Sequence, residues 1–443
     1  MNKNNDLNLR TKEVNFSKNR RFKSFLFLAT CTLIATFPHL FNKKPSIYIL
    51  FAISFLILFY GIWVLSKNRK VELFDKNVNQ SNFEQDIPNL DILVAARDEQ
   101  NVISRLVERL FNLDYPSEKL NIFIIDDGSE DNTPQMLKKL SEKFQKLKII
   151  RRNKNAGGGK SGALNHALKF IHGDWVLILD ADAQLKKDTL LRMLHYAVHG
   201  SWKAVQLRKS VVNLNNNFLT NCQAIEMAMD AFFQYGRLYA VGNSELRGNG
   251  QLIKKETLLN CGSFNEETVT DDLDLSVRLL LSDAQIGILW DPPVMEEAVE
   301  SLSALFAQRQ RWAEGGLQRF FDYDGSLIFG KLKAIQKFDL FYFFVLQYAL
   351  PIISLIDLIT AFIHFHSPVY WPISITAFML SAIAAWFGCK RNHEGPVLPS
   401  RDLSKIVIFL IYLSHWFIII PLVTLKMSIL QKKLLWKKTL HKG

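Results

Sequence analysis

Apolar residues follow two patterns along this chain. Near both ends they gather in runs long enough to cross a bilayer, while between about 71 and 338 they come in short bursts divided by polar, helix-spaced stretches. The runs at 25–41 and 47–65, parted by Asn42-Lys-Lys-Pro45, predict a transmembrane hairpin. A signal peptide would need a shorter apolar core and a small-residue cleavage site, which this pattern lacks. Runs at 340–365, 369–389 and 406–425 predict three further membrane segments. In the middle, Asp91-Ile-Leu-Val-Ala-Ala96, Leu120-Asn-Ile-Phe-Ile-Ile125, residues 148–151 and 175–179 have strand length. Between them, 101–111 and the stretch through Met136, Leu137 and Leu140 have helical spacing. Strands alternating with helices predict an α/β domain with a mainly parallel sheet. The chain therefore divides into 1–70 (basic N-terminus and hairpin), 71–338 (α/β domain) and 339–443 (membrane segments and basic tail).

Charge adds an orientation. Lys plus Arg outnumber Asp plus Glu by 54 to 42, a net +12. Beside such apolar runs, that excess predicts contact with an anionic membrane surface and no nucleic acid. Lys18, Arg20, Arg21 and Lys23 precede the hairpin, and Lys67, Arg69 and Lys70 follow it, which places both flanks in the cytoplasm. The two lysines in the hairpin loop count the other way. Five spans would put the Lys-rich tail after Lys426 outside, against its charge, so either one segment is re-entrant or interfacial, or the charge rule fails here. Cys31, Cys222, Cys261 and Cys389 lack metal-type spacing and read as buried small hydrophobes in a reducing compartment.

The candidate chemistry clusters at loops after strands, where open α/β sheets bind ligands. The 175–179 run ends in Asp180 and Asp182, which can hold a hard divalent cation, Mg²⁺ or Mn²⁺, or can simply form a solvated turn. Asp126 and Asp127 end an earlier strand and could accept from a nucleobase N–H. Ala156-Gly-Gly-Gly-Lys-Ser-Gly162 looks like a P-loop, but Lys154 stands where the first glycine belongs. Its glycines still allow close backbone approach, and Lys160 can meet a pyrophosphate. In Thr270-Asp-Asp-Leu-Asp-Leu275, Thr270 is placed to cap a helix, and Asp272 in the first turn is either a general base or a helix-stabilising acid. Gln308, Arg311 and Trp312 share a helix face that can clamp a diphosphate and stack on a sugar, or lie on a membrane.

Taken in order, Ala-Arg-Asp-Glu99, Asp-Asp-Gly128, Gly-Lys-Ser-Gly-Ala-Leu-Asn165, Asp-Ala-Asp182, Thr-Asp-Asp272 and Gln-Arg-Gln-Arg-Trp312 resemble the membrane-embedded family 2 glycosyltransferases. The resemblance implies a GT-A-type nucleotide-sugar domain flanked by transmembrane helices. It implies that Ala96, Glu99, Asp126 and Asp127 bind uridine, Lys160 the diphosphate, Asp180 the nucleotide sugar and Asp182 the metal. Asp272 would be the base, with Gln308, Arg311 and Trp312 closing over donor and acceptor. Asp98 and Asp271 stand where the family usually has Asn and Glu, and both keep a polar side chain.

A closer likeness runs through Glu226-Met-Ala-Met-Asp-Ala231, Glu245-Leu-Arg-Gly-Asn-Gly-Gln251, Asn265-Glu-Glu-Thr-Val-Thr-Asp-Asp-Leu-Asp-Leu275 and Gln310-Arg-Trp-Ala-Glu-Gly-Gly316. These resemble the branch of the family that moves one glucose, with inversion, from UDP-glucose to the sn-3 hydroxyl of diacylglycerol. That implies a multi-pass protein of a bacterial plasma or thylakoid membrane with its catalytic domain in the cytoplasm. A processive polysaccharide synthase of the cellulose, hyaluronan or poly-N-acetylglucosamine type is the alternative. Met227, Met229, Phe232 and Phe233 then form either a lip for the lipid or plain core.

Overall fold

The computed structural model describes residues 17–41, 45–68, 87–391, 394–398 and 402–430. Lys43, Lys44, Arg69, Lys70, the side chain of Lys18 and the tail from 431 lie outside the described residues. The chain opens with two apolar helices, α1 (Ser17–Leu40) and α2 (Ile47–Ser66). An α/β series follows: β1 (Leu90–Ala96), α3 (Ile103–Leu110), β2 (Leu120–Asp126), α4 (Thr133–Lys143), β3 (Leu147–Arg151), α5 (Gly159–Ala167), β4 (Trp175–Leu179) and α6 (Thr189–His199). Next come β5 (Ala204–Val211), α7 (Phe218–Val241), β6 (Gln251–Lys254), α8 (Lys255–Asn260), α9 (Asp271–Leu281), β7 (Ile286–Glu296) and α10 (Leu302–Phe329). The last helices are α11 (Ala334–Phe344), α12 (Leu350–Ile363), α13 (Trp371–Lys390), α14 (Leu403–Leu413) and α15 (Trp416–Ile429), with a π-helical turn, Val345–Ala349, joining α11 to α12.

Seven strands form one sheet in the order β3-β2-β1-β4-β6-β5-β7. Every neighbouring pair is parallel except those of β6, which runs antiparallel to both β4 and β5. The apolar runs of β4 and of β1 after Asp91 follow from burial on both faces. Leu90, Ile92 and Val94 of β1 join Trp175, Leu177 and Leu179 of β4 under α3, α4 and α6. The alternate residues, Leu93, Val176 and Ile178, pack under α5 and α9 through Ala163, Leu164, Leu275 and Leu279. At roughly 25 cal/mol per Å² of apolar surface, these two layers supply most of the domain's drive to fold. They also fix the parallel strands with their carboxyl ends on one edge.

Five helices are long and apolar enough to cross a membrane: Asn19–Leu40, Ile47–Ser66, Ala334–Ile363, Trp371–Lys390 and Leu403–Ile429. All five have spanning length, so length singles out none as re-entrant. The fifth is broken at Ser414 and His415 into α14 and α15. The spans dock directly on the α/β domain: α13 and α2 pack against α7, and α15 packs against α10.

Candidate active site

The nucleotide end lies where β1 and β2 stop together, Ala96 beside Asp126 in register. The Asp127 N–H donates to the Ala96 carbonyl at 2.9 Å. Asp126 is fully buried; its Oδ1 accepts from the Ser129 N–H at 2.9 Å, and Oδ2 has no hydrogen bond among the described residues, with Arg151 Nε at 3.6 Å. Asp127 Oδ1 instead accepts from Arg152 Nη1 at 2.5 Å. Burial pushes the Asp127 carboxyl up, opposed by Arg152 and Arg97. Asp98 has φ +55, a left-handed conformation that Asp and Asn tolerate, and its Oδ1 accepts from the Glu130 N–H at 2.7 Å. The Asp-for-Asn departure therefore keeps the tie between the two loops.

Next comes the glycine-rich turn. Gly157, Gly158 and Gly159 all have positive φ, and a Cβ on Gly158 would strike the Glu266 carboxylate. The turn delivers Lys160, whose Nζ donates to Asp180 Oδ1 at 2.6 Å and lies 3.4 Å from the Gly248 carbonyl. Burial alone would lower the Lys160 pKa, but Asp180, Asp271 and Asp272 outweigh it and hold the ammonium well above its ordinary range. Asn249, fully buried, accepts from the Asp180 N–H at 3.1 Å. Asp182 Oδ2 accepts from the Glu297 N–H at 3.0 Å. Asp180 and Asp182 are hard oxygen donors suited to Mg²⁺ or Mn²⁺. Among the described residues no group of three or more His, Cys, Asp or Glu could hold a metal alone. A cation here fits if its remaining ligands are water and donor phosphate oxygens.

Opposite stands α9. Thr270 occupies its N-cap position, yet its side chain makes no capping bond, which corrects the expected cap. Gly315 of α10 packs against Thr270 so closely that a Cβ there would overlap the threonine side chain, whose Oγ1 is sealed without a partner among the described residues. Asp272 Oδ1 accepts from the Leu273 N–H at 2.9 Å. A Cβ on Gly248 would lie 3.2 Å from Asp272 Oδ2, so the glycine keeps the approach to that oxygen open. Burial and the neighbouring Asp271 push the Asp272 carboxyl up to about 6.

Gln308, Arg311 and Trp312 of α10 face the same space. The helix does not lie free on a surface; Leu305, Arg309, Ala313 and Leu317 are buried in the junction between sheet and spans. Arg309, between the predicted residues, is 1% exposed. It donates to Glu226 at 2.5 Å and lies 4.0 Å from the Trp312 ring centroid. Glu226 also accepts from Tyr412 at 2.8 Å and Trp416 Nε1 at 3.0 Å. Sequence reasoning missed this node, because Glu226 and the two aromatics stand far apart in the chain. It missed Lys209 as well, paired with Glu296 at 2.7 Å and 5.9 Å from the Trp312 ring centroid; its place on β5 gave no motif.

One cavity of about 630 Å³ joins these groups. Glu99, Lys160, Asp180, Asp182, Asp272, Gln308, Arg311 and Trp312 line it; Ala96, Asp126 and Asp127 do not, lying behind it at the strand ends. Its far wall is apolar and comes from the spans, with Phe343, Leu350, Phe378 and Phe417. Met227, Met229 and Phe233 line it too, while Phe232 turns into the core against Trp290.

Residues 91–258 match the model for glycosyl transferase family 2, and residues 175–389 match that for glycosyl transferase family group 2. A beta-monoglucosyldiacylglycerol synthase of Synechocystis sp. is 42% identical over 363 residues, 80% of this chain and 75% of that protein. The chain belongs to glycosyltransferase family 2. An enzyme of the same description from Trichormus variabilis is 38% identical over 368 residues, 82% of this chain and 79% of the relative. Among solved structures, a mannosyltransferase from Pyrobaculum calidifontis in complex with GDP-Man and Mn²⁺ superimposes with a TM-score of 0.59. That likeness covers 92% of this chain and all of that one at 18% identity, which establishes the GT-A-like fold. Family and fold together make this an enzyme of glycosyl transfer, with a nucleotide-sugar donor and a divalent cation common to its class.

Proposed function

We propose that the protein moves a single glucose from UDP-glucose to the sn-3 hydroxyl of 1,2-diacylglycerol, giving the β-glucoside. The observation that carries this reading is the continuity of the cavity: catalytic carboxylates at one end, apolar side chains from the spans at the other. A diacylglycerol hydroxyl sits at the bilayer surface while its chains stay in lipid. The two relatives at 38–42% identity support the choice of sugar and acceptor.

In this reading Asp272 takes the proton of the acceptor hydroxyl as its oxygen attacks the anomeric carbon from the face opposite UDP. The C1–O bond to UDP breaks, the configuration inverts, and no covalent enzyme intermediate forms. Lys160 and Arg311 meet the charge growing on the diphosphate. Glu99 serves the uridine from the cavity wall, and Asp126 supports that end from behind it through the Ser129 N–H. Mg²⁺ held by Asp182, with Asp180 beside it, would add Lewis-acid neutralisation of the leaving group. Trp312 stacks over the sugar, held in place by Arg309. The protein is multi-pass, with this domain on the cytoplasmic face of a bacterial membrane.

Purified protein supplied with UDP-[14C]glucose and diacylglycerol should yield one chloroform-soluble glucolipid. Label in a water-soluble polymer of growing length would establish a processive synthase instead.

A further inference from the structure

The membrane end of the cavity is not uniformly apolar. Gln234 of α7 is 6% exposed and lines the cavity; its Oε1 is sealed off, while its Nε2 donates to no acceptor among the described residues. Gln347 lines it from the π-helical turn; it is exposed and has no hydrogen-bond partner among the described residues. The helices that carry the two amides meet through packed aromatic rings. Phe343, one turn before Gln347, meets Phe233, the neighbour of Gln234, edge-on at 5.7 Å. A π-turn inserts an extra residue into a helix, re-aims a side chain and recurs at functional sites. Here it aims an amide into a space also lined by Leu346, Leu350, Phe378 and Phe417.

The charged donors nearby are already engaged. Arg247 is bound to both oxygens of Asp230 at 2.8 Å and to Glu245 at 2.6 Å. Arg237 is bound to Asp339 at 2.9 Å and lies 3.3 Å from Glu245. Two neutral amides are left to meet a ligand beyond the catalytic carboxylates. The amide N–H of a buried residue such as Gln234 needs an acceptor, because desolvation without one is unfavourable.

We infer that Gln234 and Gln347 recognise the two ester carbonyls of the acceptor lipid. An ester carbonyl accepts but cannot donate, so it calls for N–H donors, and neutral ones suit a low-dielectric wall. The chains need no specific pocket, and the hydroxyl is left to Asp272. The inference rests on the proposed transfer to diacylglycerol and adds that the enzyme reads the ester linkage.

The test compares two acceptors with the full-length protein in detergent micelles: dioleoylglycerol and its diether analogue, which lacks both carbonyls. Losing both amide hydrogen bonds should lower kcat/KM for the diether at least about tenfold. Gln234→Leu and Gln347→Leu should each shrink the diester-to-diether ratio, and the double variant should bring it close to unity, with the KM for UDP-glucose unchanged. A ratio near unity in the wild-type protein overturns the inference alone, and this comparison needs no variant to fold. An unshifted ratio in both folded variants also overturns it. Absence of transfer to either lipid overturns the proposed function and this inference with it.

Discussion

Replacing Asp272 by asparagine removes the carboxylate proposed to take the acceptor proton while keeping the size of the side chain. Its carboxyl is pushed up to about 6 by burial and by Asp271, with Lys160 pulling the other way. On that value it is about nine-tenths ionised at pH 7 and about one-tenth at pH 5, so kcat/KM of the wild-type enzyme should fall roughly tenfold across that interval. Through this group the loss does not come from unfolding. A carboxyl raised in the folded state binds more protons there than in the unfolded chain, so between 3.8 and about 6 acidification stabilises the fold through this group. Asp271 is raised too and acts with the same sign. Asp272→Asn should lower turnover by about 10²–10⁴-fold, the usual worth of a general base, and abolish the acidic limb. UDP-glucose binding, measured by calorimetry, should persist. A variant that loses donor binding along with turnover would make Asp272 a donor ligand and refute the mechanism. A wild-type profile flat from pH 5 to 7 would refute it independently.

Chelation with EDTA should silence the wild-type enzyme and added Mg²⁺ restore it, with Asp182→Asn equally inactive yet membrane-inserted; full activity in EDTA would sink the metal assignment. Gly315→Ala drives a Cβ into Thr270 Oγ1 and should destabilise by about 1–3 kcal/mol through overpacking, read as a lower Tm. An unchanged Tm there would mean that Thr270 has room to move. Glu226→Gln leaves the buried Arg309 without its carboxylate and should cost about 3–5 kcal/mol, with turnover falling because Trp312 loses its support. Wild-type stability and kcat in that variant would show the node to be dispensable.

The parts of the fold that were legible in the sequence are those with a strong local period. β1, β2 and β4 are strongly apolar because both sheet faces are covered, and each is followed by acids at or just past its carboxyl end. Later strands left weaker traces. β6 is four residues long and set among Gly248 and Gly250, whose positive φ values serve close packing. β7 carries Pro292 and Pro293, which argue against a central strand; it is tolerated at the sheet edge beside β5. The site divides in the same way. Lys160, Asp180, Asp182 and Asp272 follow elements that the pattern predicts, and they meet in one cavity. Asp127 was read as a nucleobase ligand, but the arginine facing it, Arg152, comes from the loop after β3, and no local signal reveals that Oδ1 is already bound. Nor does Thr270 betray, from its own neighbours, that Gly315 will press on it.

The membrane helices and the catalytic domain are joined through desolvated charges more than through a linker. Asp339, at 0% exposure on α11, binds Arg237 of α7 at 2.8 Å and accepts from Tyr60 of α2 at 3.0 Å. Arg20 of α1 is paired with Asp322 of α10 at 2.5 Å. Glu226 links α7 and α10 to both halves of the broken last span. Such buried pairs add little net stability relative to apolar packing, yet each is costly to separate, so they fix relative position. Position is what this chemistry needs. In the proposed reaction the sugar donor sits at the sheet's edge and the acceptor at the bilayer surface, with Trp312 between them on a helix braced from both sides. The apolar helices therefore supply one wall of the cavity and, through Glu226 and Arg309, the support for Trp312.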